Sequence, residues 1–174
     1  MTRLHSMLLW TLAGCLAMAP VRARAGEFLA FDLPMERFDS QHVSTQQDKR
    51  QQVLIIEFFP VGETINTWTE LITLQSLGKK YHPAPRAAVD ATRQKLLERC
   101  PNLIWNEIEA KGEDITYEWR IEGCASDPDQ HEISRYVGTR ASVFRLAYTV
   151  KGKQMSPEVR AQWLDRLRAA HLAK

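Results

Sequence analysis

Residues Gln51 to Gln75 read QQVLIIEFFPVGETINTWTELITLQ. From Val53 to Phe59 only Glu57 is polar, so both faces of this segment carry apolar side chains. That pattern belongs to a strand covered on both sides rather than to a half-wet edge. Pro60-Val61-Gly62-Glu63 supplies a turn. Asn66 to Gln75 then alternates. Trp68, Ile72 and Leu74 fall on one face with Glu70 among them; Thr67, Thr69, Thr73 and Gln75 fall on the other, with Leu71 the exception. The stretch predicts two strands and a turn inside a sheet that has something packed on each side.

Upstream of this pair, Phe38 to Gln46 reads as a strand and Glu27 to Leu33 as a short first strand. The first 25 residues read as a signal peptide: a short polar start with Arg3 and His5, an apolar run from Met7 to Met18, then Ala23-Arg24-Ala25 before Gly26. The apolar run is about 12 residues, against the roughly 20 that a spanning helix needs. No later stretch reaches that length, so no transmembrane segment is expected after signal removal, and residues 26–174 are expected to form a single periplasmic domain. Leu12-Ala13-Gly14-Cys15 resembles the lipobox of bacterial lipoproteins, which leaves lipid anchoring at Cys15 as the alternative to cleavage after Ala25.

The signal carries three arginines and no acid, so its removal turns a formal charge of +2 into −1. A nearly neutral chain gives no electrostatic case for a nucleic-acid partner. Removal also takes away Cys15 and leaves Cys100 and Cys124, which in an exported protein are expected to form a disulfide.

Downstream, Arg86 to Cys100 predicts a helix with Val89, Leu96, Leu97 and Cys100 on its buried face. Four strands follow, within Leu103–Glu109, Ile115–Ile121, His131–Val137 and the segment in which Phe144, Leu146, Tyr148 and Val150 alternate. Ser156-Pro157-Glu158 opens a second helix with Val159, Trp163, Leu167 and Ala170 as its apolar stripe. Arg166, Arg168, His171 and Lys174 gather toward its C-terminal end. This order implies an α+β fold: an antiparallel sheet of about seven strands covered by two amphipathic helices. Trp105 and Trp119, on neighbouring strands, read as core or cross-strand packing.

No zinc-protease, nucleophile-elbow, phosphate-loop or dinucleotide motif is present, and no cofactor or metal site is expected. The candidate binding residues are Trp68, Glu70, His131 and Arg135. Glu70 and Arg135 each share a face with apolar neighbours, and Glu57 sits in the most apolar strand. A buried charge needs a partner, so Arg135 is expected to pair with Glu70 or Glu57. Such a pair serves either as a structural ion pair or as the floor of a groove flanked by Trp68.

Ile65-Asn66-Thr67-Trp68-Thr69-Glu70, the paired cysteines, His131-Glu132-Ile133-Ser134-Arg135, the Gly138 turn, Tyr148 and the Trp163 helix together resemble small exported bacterial proteins of unknown function. The element order is similar to the PsbP-like α/β sandwich. That resemblance implies a non-enzymatic accessory factor that binds proteins, and it implies no catalytic residues; the partner expected is another envelope protein or a small ligand. A hydrolase in which Glu70, His131 and Glu132 meet in three dimensions is the alternative.

Overall fold

The computed structural model describes residues 27–47, 52–78, 84–125, 127–139, 142–152 and 154–173. The signal segment with Cys15, the Gln47–Arg50 turn beyond Gln47, the connector at residues 81–83, and Lys174 lie outside the described residues. The elements in chain order are β1 (Phe28–Ala30), β2 (Phe38–Gln47), β3 (Gln52–Pro60), β4 (Glu70–Gly78), α1 (Pro85–Arg99), β5 (Ile104–Lys111), β6 (Asp114–Ile121), β7 (Gln130–Gly138), β8 (Ser142–Lys151), α2 (Pro157–Ala169) and β9 (His171–Ala173).

The expected sheet is present as a seven-stranded antiparallel sheet, ordered β2-β3-β4-β8-β7-β6-β5. The meander β5–β8 docks its last strand against β4, with Ile72 opposite Tyr148 and Tyr148 opposite Ile133. Because side chains alternate, that row and its neighbours face one side, where Trp163 and Leu167 of α2 cover Ile72, Ile133 and Tyr148. The Tyr148 ring stacks on Trp163 at 4.1 Å between centroids. On the other side, Val89 and Leu96 of α1 pack over Ile115, Tyr117 and Tyr136. Strand β4 is covered on both sides, Leu71, Ile72 and Thr73 all being buried although they alternate faces; β3, expected to be covered in this way, lies one strand from the edge and buries Val53 and Phe59 but leaves Leu54 exposed.

The turn at Pro60–Glu63 closes with the Glu63 amide donating to the Pro60 carbonyl at 2.9 Å, and Gly62 takes the positive φ of +84° that such a turn requires at its third position. The following strand begins later than Asn66. Thr64 and Thr67 bond through their hydroxyls (3.1 Å), the Thr64 amide donates to Thr67 Oγ1 (3.0 Å), and Glu63 accepts from the amide and hydroxyl of Thr69 (2.6 and 2.7 Å). These local side-chain bonds hold residues 64–69 in a turn and compete with the ladder until Glu70.

Helix α2 starts as its sequence predicts: the Val159 amide donates to Ser156 Oγ at 3.2 Å, with Pro157 in the first turn. It ends at Ala169, and His171 belongs to β9 rather than to the helix. Strand β9 pairs antiparallel with β1 as a separate two-stranded ribbon, Leu29 opposite Leu172. On α1, Leu96 is buried but Leu97 is 36% exposed, so the buried stripe is narrower than the spacing suggested. Trp105 and Trp119 are cross-strand partners, yet the Trp105 ring stacks on Tyr117 at 4.5 Å.

Cys100 caps α1 and is bridged to Cys124 in the β6–β7 loop, their Cα atoms 5.3 Å apart. At the other end of α1, Gly138 meets Pro85. A Cβ added at Gly138 would lie 2.8 Å from Pro85 Cγ and 2.9 Å from Glu113 Cβ. The Gly138 amide donates to the Glu113 carbonyl at 3.2 Å, which ties this backbone in place. Gly138→Ala is therefore expected to destabilise the fold by about 1–3 kcal/mol through overpacking. A urea titration checks this; an unchanged midpoint would mean that the start of α1 shifts freely.

Candidate functional site

The residues nominated by sequence do not form one cluster. Glu70 opens β4, accepts from the Tyr148 hydroxyl and pairs with Arg37. Trp68 precedes β4, and Lys151 Nζ sits 4.1 Å above its ring. Arg135 is elsewhere on the same face. Its Nη1 donates to the carbonyls of Leu167 (2.6 Å), Arg168 (3.1 Å) and Ala170 (2.8 Å), and its Nη2 to Asp114 at 2.7 Å. It therefore caps the C-terminal end of α2, where carbonyls lack intrahelical donors and positive charge is favoured. The expected pairing of Arg135 with Glu70 or Glu57 is replaced by these contacts, and the register gives the reason. Glu70 lies opposite Val150, whereas Arg135 lies opposite Leu146, four residues earlier in β8. Glu57 stands in the row of Thr73, Ala147 and Ser134, which points to the opposite face from Arg135.

His131 is 6% exposed. Its Nδ1 accepts the Met155 amide at 3.0 Å, which places the ring proton on Nε2, 3.9 Å from Glu118 Oε2. Burial holds His131 below its usual pKa, against the pull of Glu118. Glu118 itself accepts from Arg160 (2.6 Å) and Asn106 (3.0 Å). The trio Glu70, His131 and Glu132 is not brought together. His131 and Glu132 are consecutive in β7 and so face opposite sides, and β8 separates the row position of Glu70 from that of His131.

A denser constellation lies on the face toward α1. Thr73, Ala147 and Ser134 form one row across β4, β8 and β7, and all three are small and buried. They leave a depression in the middle of the sheet. Glu132 enters it from one side and Arg145 from the other, meeting with Arg145 Nη2 2.5 Å from Glu132 Oε1. Three more donors converge on the same carboxylate: Ser134 Oγ at 2.5 Å, Trp119 Nε1 at 2.8 Å and Thr149 Oγ1 at 2.9 Å. Glu132 is 5% exposed. Burial pushes its carboxyl up, but Arg145 and the hydroxyls outweigh this and hold it below the ordinary carboxylate range. Burial alone pushes against the Arg145 charge, and Glu132 more than restores it. Arg145 Nε is buried without a hydrogen-bond partner among the described residues. Glu57 faces this side from β3; burial raises its carboxyl, opposed by His42 and Arg145.

Sequence reasoning missed this pair. The signal lay in the faces that were set aside: Glu132, Ser134 and Tyr136 in one strand, Arg145, Ala147 and Thr149 in the other. Each reads as a polar, outward face until the strands prove central and covered.

Beside this cluster, and sharing Arg145 and Trp119 with it, lies a groove of about 380 Å³ between α1 and the sheet. Arg145, Gln75 and Tyr136 contribute polar groups from the sheet, Thr92 and Lys95 from the helix. Thr92 Oγ1 lies 3.4 Å from the Tyr136 hydroxyl. Two smaller crevices are lined largely by ion-paired side chains instead. One, of about 240 Å³, holds Arg135 with Asp114 and Arg168 with Glu109; the other, of about 160 Å³, holds Arg160 with Glu118 beside His131. Among the described residues, no group of three His, Cys, Asp or Glu side chains is placed to hold a metal ion, and no helix is long and apolar enough to cross a membrane. No family model, curated protein or solved structure matches this chain.

Proposed function

We propose that this chain is an exported, periplasmic accessory protein that works by binding, without catalysis, and that its binding surface is the groove between α1 and the sheet. The observation that carries the reading is the groove itself. It is open along one helix, two of its lining residues, Arg145 and Trp119, are fixed by their bonds to Glu132, and its walls mix donors with apolar side chains. A concave site with a few placed polar groups on an apolar lining is the usual form of a binding site. The bridged cysteines support an oxidising compartment. The antiparallel sheet with a helix on each face supports the PsbP-like reading and its implied accessory role. The surface proposed is therefore the α1 groove rather than the Trp68, Glu70 and Arg135 region.

Ala91 is exposed on α1 and lines the groove, so Ala91→Trp fills it from the outside without entering the core. The expected outcome is a melting temperature close to that of the parent and loss of the partner captured from crosslinked envelope. Glu70→Gln is expected to leave capture intact. Equal capture by the parent and Ala91→Trp would remove the groove as the binding surface.

A further inference from the structure

We infer that the α1 groove takes a small organic monocarboxylate with an apolar body, an inference that rests on the binding reading above. The lining decides the charge. It contains two cations, Arg145 and Lys95, and no Asp or Glu among the described residues. Glu132, on the same face of the sheet but buried against its four donors and not part of the lining, cancels one of the two charges. One net positive charge remains for an occupant. That matches a single carboxylate better than a dianion such as phosphate. The crevice near Arg135 carries one cation more than its carboxylates, Lys111, but its lining is polar or charged throughout and offers an apolar body nothing to cover; beside His131, Arg160 pairs with Glu118 and Arg120 with Glu122.

The polar groups that face the groove are chiefly donors. The Arg145 guanidinium, the Lys95 ammonium and the Tyr136 hydroxyl can donate to an anionic oxygen, with Gln75 able to add its amide, whereas the Thr92 hydroxyl already donates to the Ala88 carbonyl at 2.9 Å. Arg145 is held in place by Glu132, so its orientation is set before any ligand arrives. The rest of the wall is apolar: Val53 and Leu77 from the sheet, Ala88 and Leu96 from the helix, with Trp119 at the edge. An inorganic anion would leave that surface wet, whereas an alkyl or aryl carboxylate covers it. The volume of about 380 Å³ sits at the lower end of the range for small-molecule sites, roughly 300–1,000 Å³. Glu57 opposes the charge from β3, one strand beyond Gln75, since it couples to Arg145.

The test is an amide-shift titration of the oxidised protein at neutral pH with three probes: hexanoate, 1-hexanol, and inorganic phosphate. Hexanoate is expected to give saturable shifts at Leu96, Trp119 and Tyr136 and to bind about tenfold more tightly than hexanol, the difference a charge-assisted contact supplies. Phosphate is expected to give no saturable shift there. Lys95→Ala should weaken hexanoate and leave hexanol unchanged, Glu57→Gln should tighten hexanoate, and Ala91→Trp should abolish both. Equal binding of hexanoate and hexanol would overturn the carboxylate assignment while leaving the groove as a binding surface. Phosphate matching hexanoate, no saturable binding, or hexanoate binding untouched by Ala91→Trp would overturn it as well. In those cases the envelope capture still reports separately on the groove: capture lost in Ala91→Trp keeps the binding reading without this ligand class.

Discussion

Glu132→Leu is expected to cost about 3–5 kcal/mol of folding stability, the range for breaking a buried charge pair by removing one partner. The variant leaves the Arg145 guanidinium, 14% exposed, without its counter-charge. It also strips the acceptor from Trp119 Nε1, Ser134 Oγ and Thr149 Oγ1, all on buried residues. The hydroxyls can rotate toward other acceptors, whereas the indole and the guanidinium cannot, so most of the loss comes from those two. The companion variant Glu132→Leu/Arg145→Met removes both charges and keeps the volume. It is expected to recover most of the loss, because burying a matched pair gains little over burying apolar groups. Denaturant titrations of the two single variants and the double variant give the coupling directly. If Glu132→Leu alone loses less than about 1 kcal/mol, water already reaches the pair and the floor of the groove is not preorganised.

The same pair sets a pH dependence. Glu132 has a folded pKa below its unfolded value, so its contribution is present above about pH 4.3, the ordinary Glu value, and is lost as pH falls through the folded pKa. Glu57 acts with the opposite sign. Its folded pKa is raised, so its ionisation lowers stability as pH climbs from the unfolded to the folded value. The acid limb of the stability curve should therefore flatten in Glu132→Leu and steepen in Glu57→Gln.

How far the sequence reaches depends on whether the deciding interaction is local. The Pro60–Glu63 turn and the start of α2 are set by residues within four positions of one another, Gly62 in the first and Ser156 with Val159 in the second. Both are legible for that reason. The late start of β4 is also local, but it turns on hydroxyl bonds between Thr64 and Thr67, and threonine equally suits a strand. Strand β9 is three residues after a helix, too short to show a period. Arg135 was recognisable as a charge needing a partner, but its partners are mainly backbone carbonyls of Leu167, Arg168 and Ala170, which side-chain patterning does not mark. The Glu132–Arg145 site is the least legible. It needs the β7–β8 register, the burial of both strands, and the small side chains of Thr73, Ser134 and Ala147 that give two long side chains room to meet.

Cys100→Ala/Cys124→Ala is expected to lower stability by about 3.5 kcal/mol, the chain-entropy value for a loop of this length, with the two cysteines 24 positions apart. For a domain of this size that corresponds to a melting temperature lower by about 7–14 °C. Reduction of the parent protein should give nearly the same loss, which separates the bridge from the packing of the Cys100 side chain, itself 1% exposed. The loss should not be spread evenly. Helix α1 is buried through few side chains, Pro85, Val89 and Leu96, so the bridge at its C-cap fixes one end of the wall that forms the groove. Arg99 still reaches Asp127 with Nε 2.9 Å from Oδ2, but an exposed ion pair holds a helix end by only about 0–1 kcal/mol. Hydrogen exchange should therefore accelerate first in the last turn of α1, at Leu96 to Arg99, before the β7–β8 amides respond. Hexanoate affinity should fall with it, because Leu96 belongs to that turn and Lys95 directly precedes it. A uniform acceleration across sheet and helix would show that the bridge acts only by constraining the unfolded chain, and that the groove keeps its shape without it.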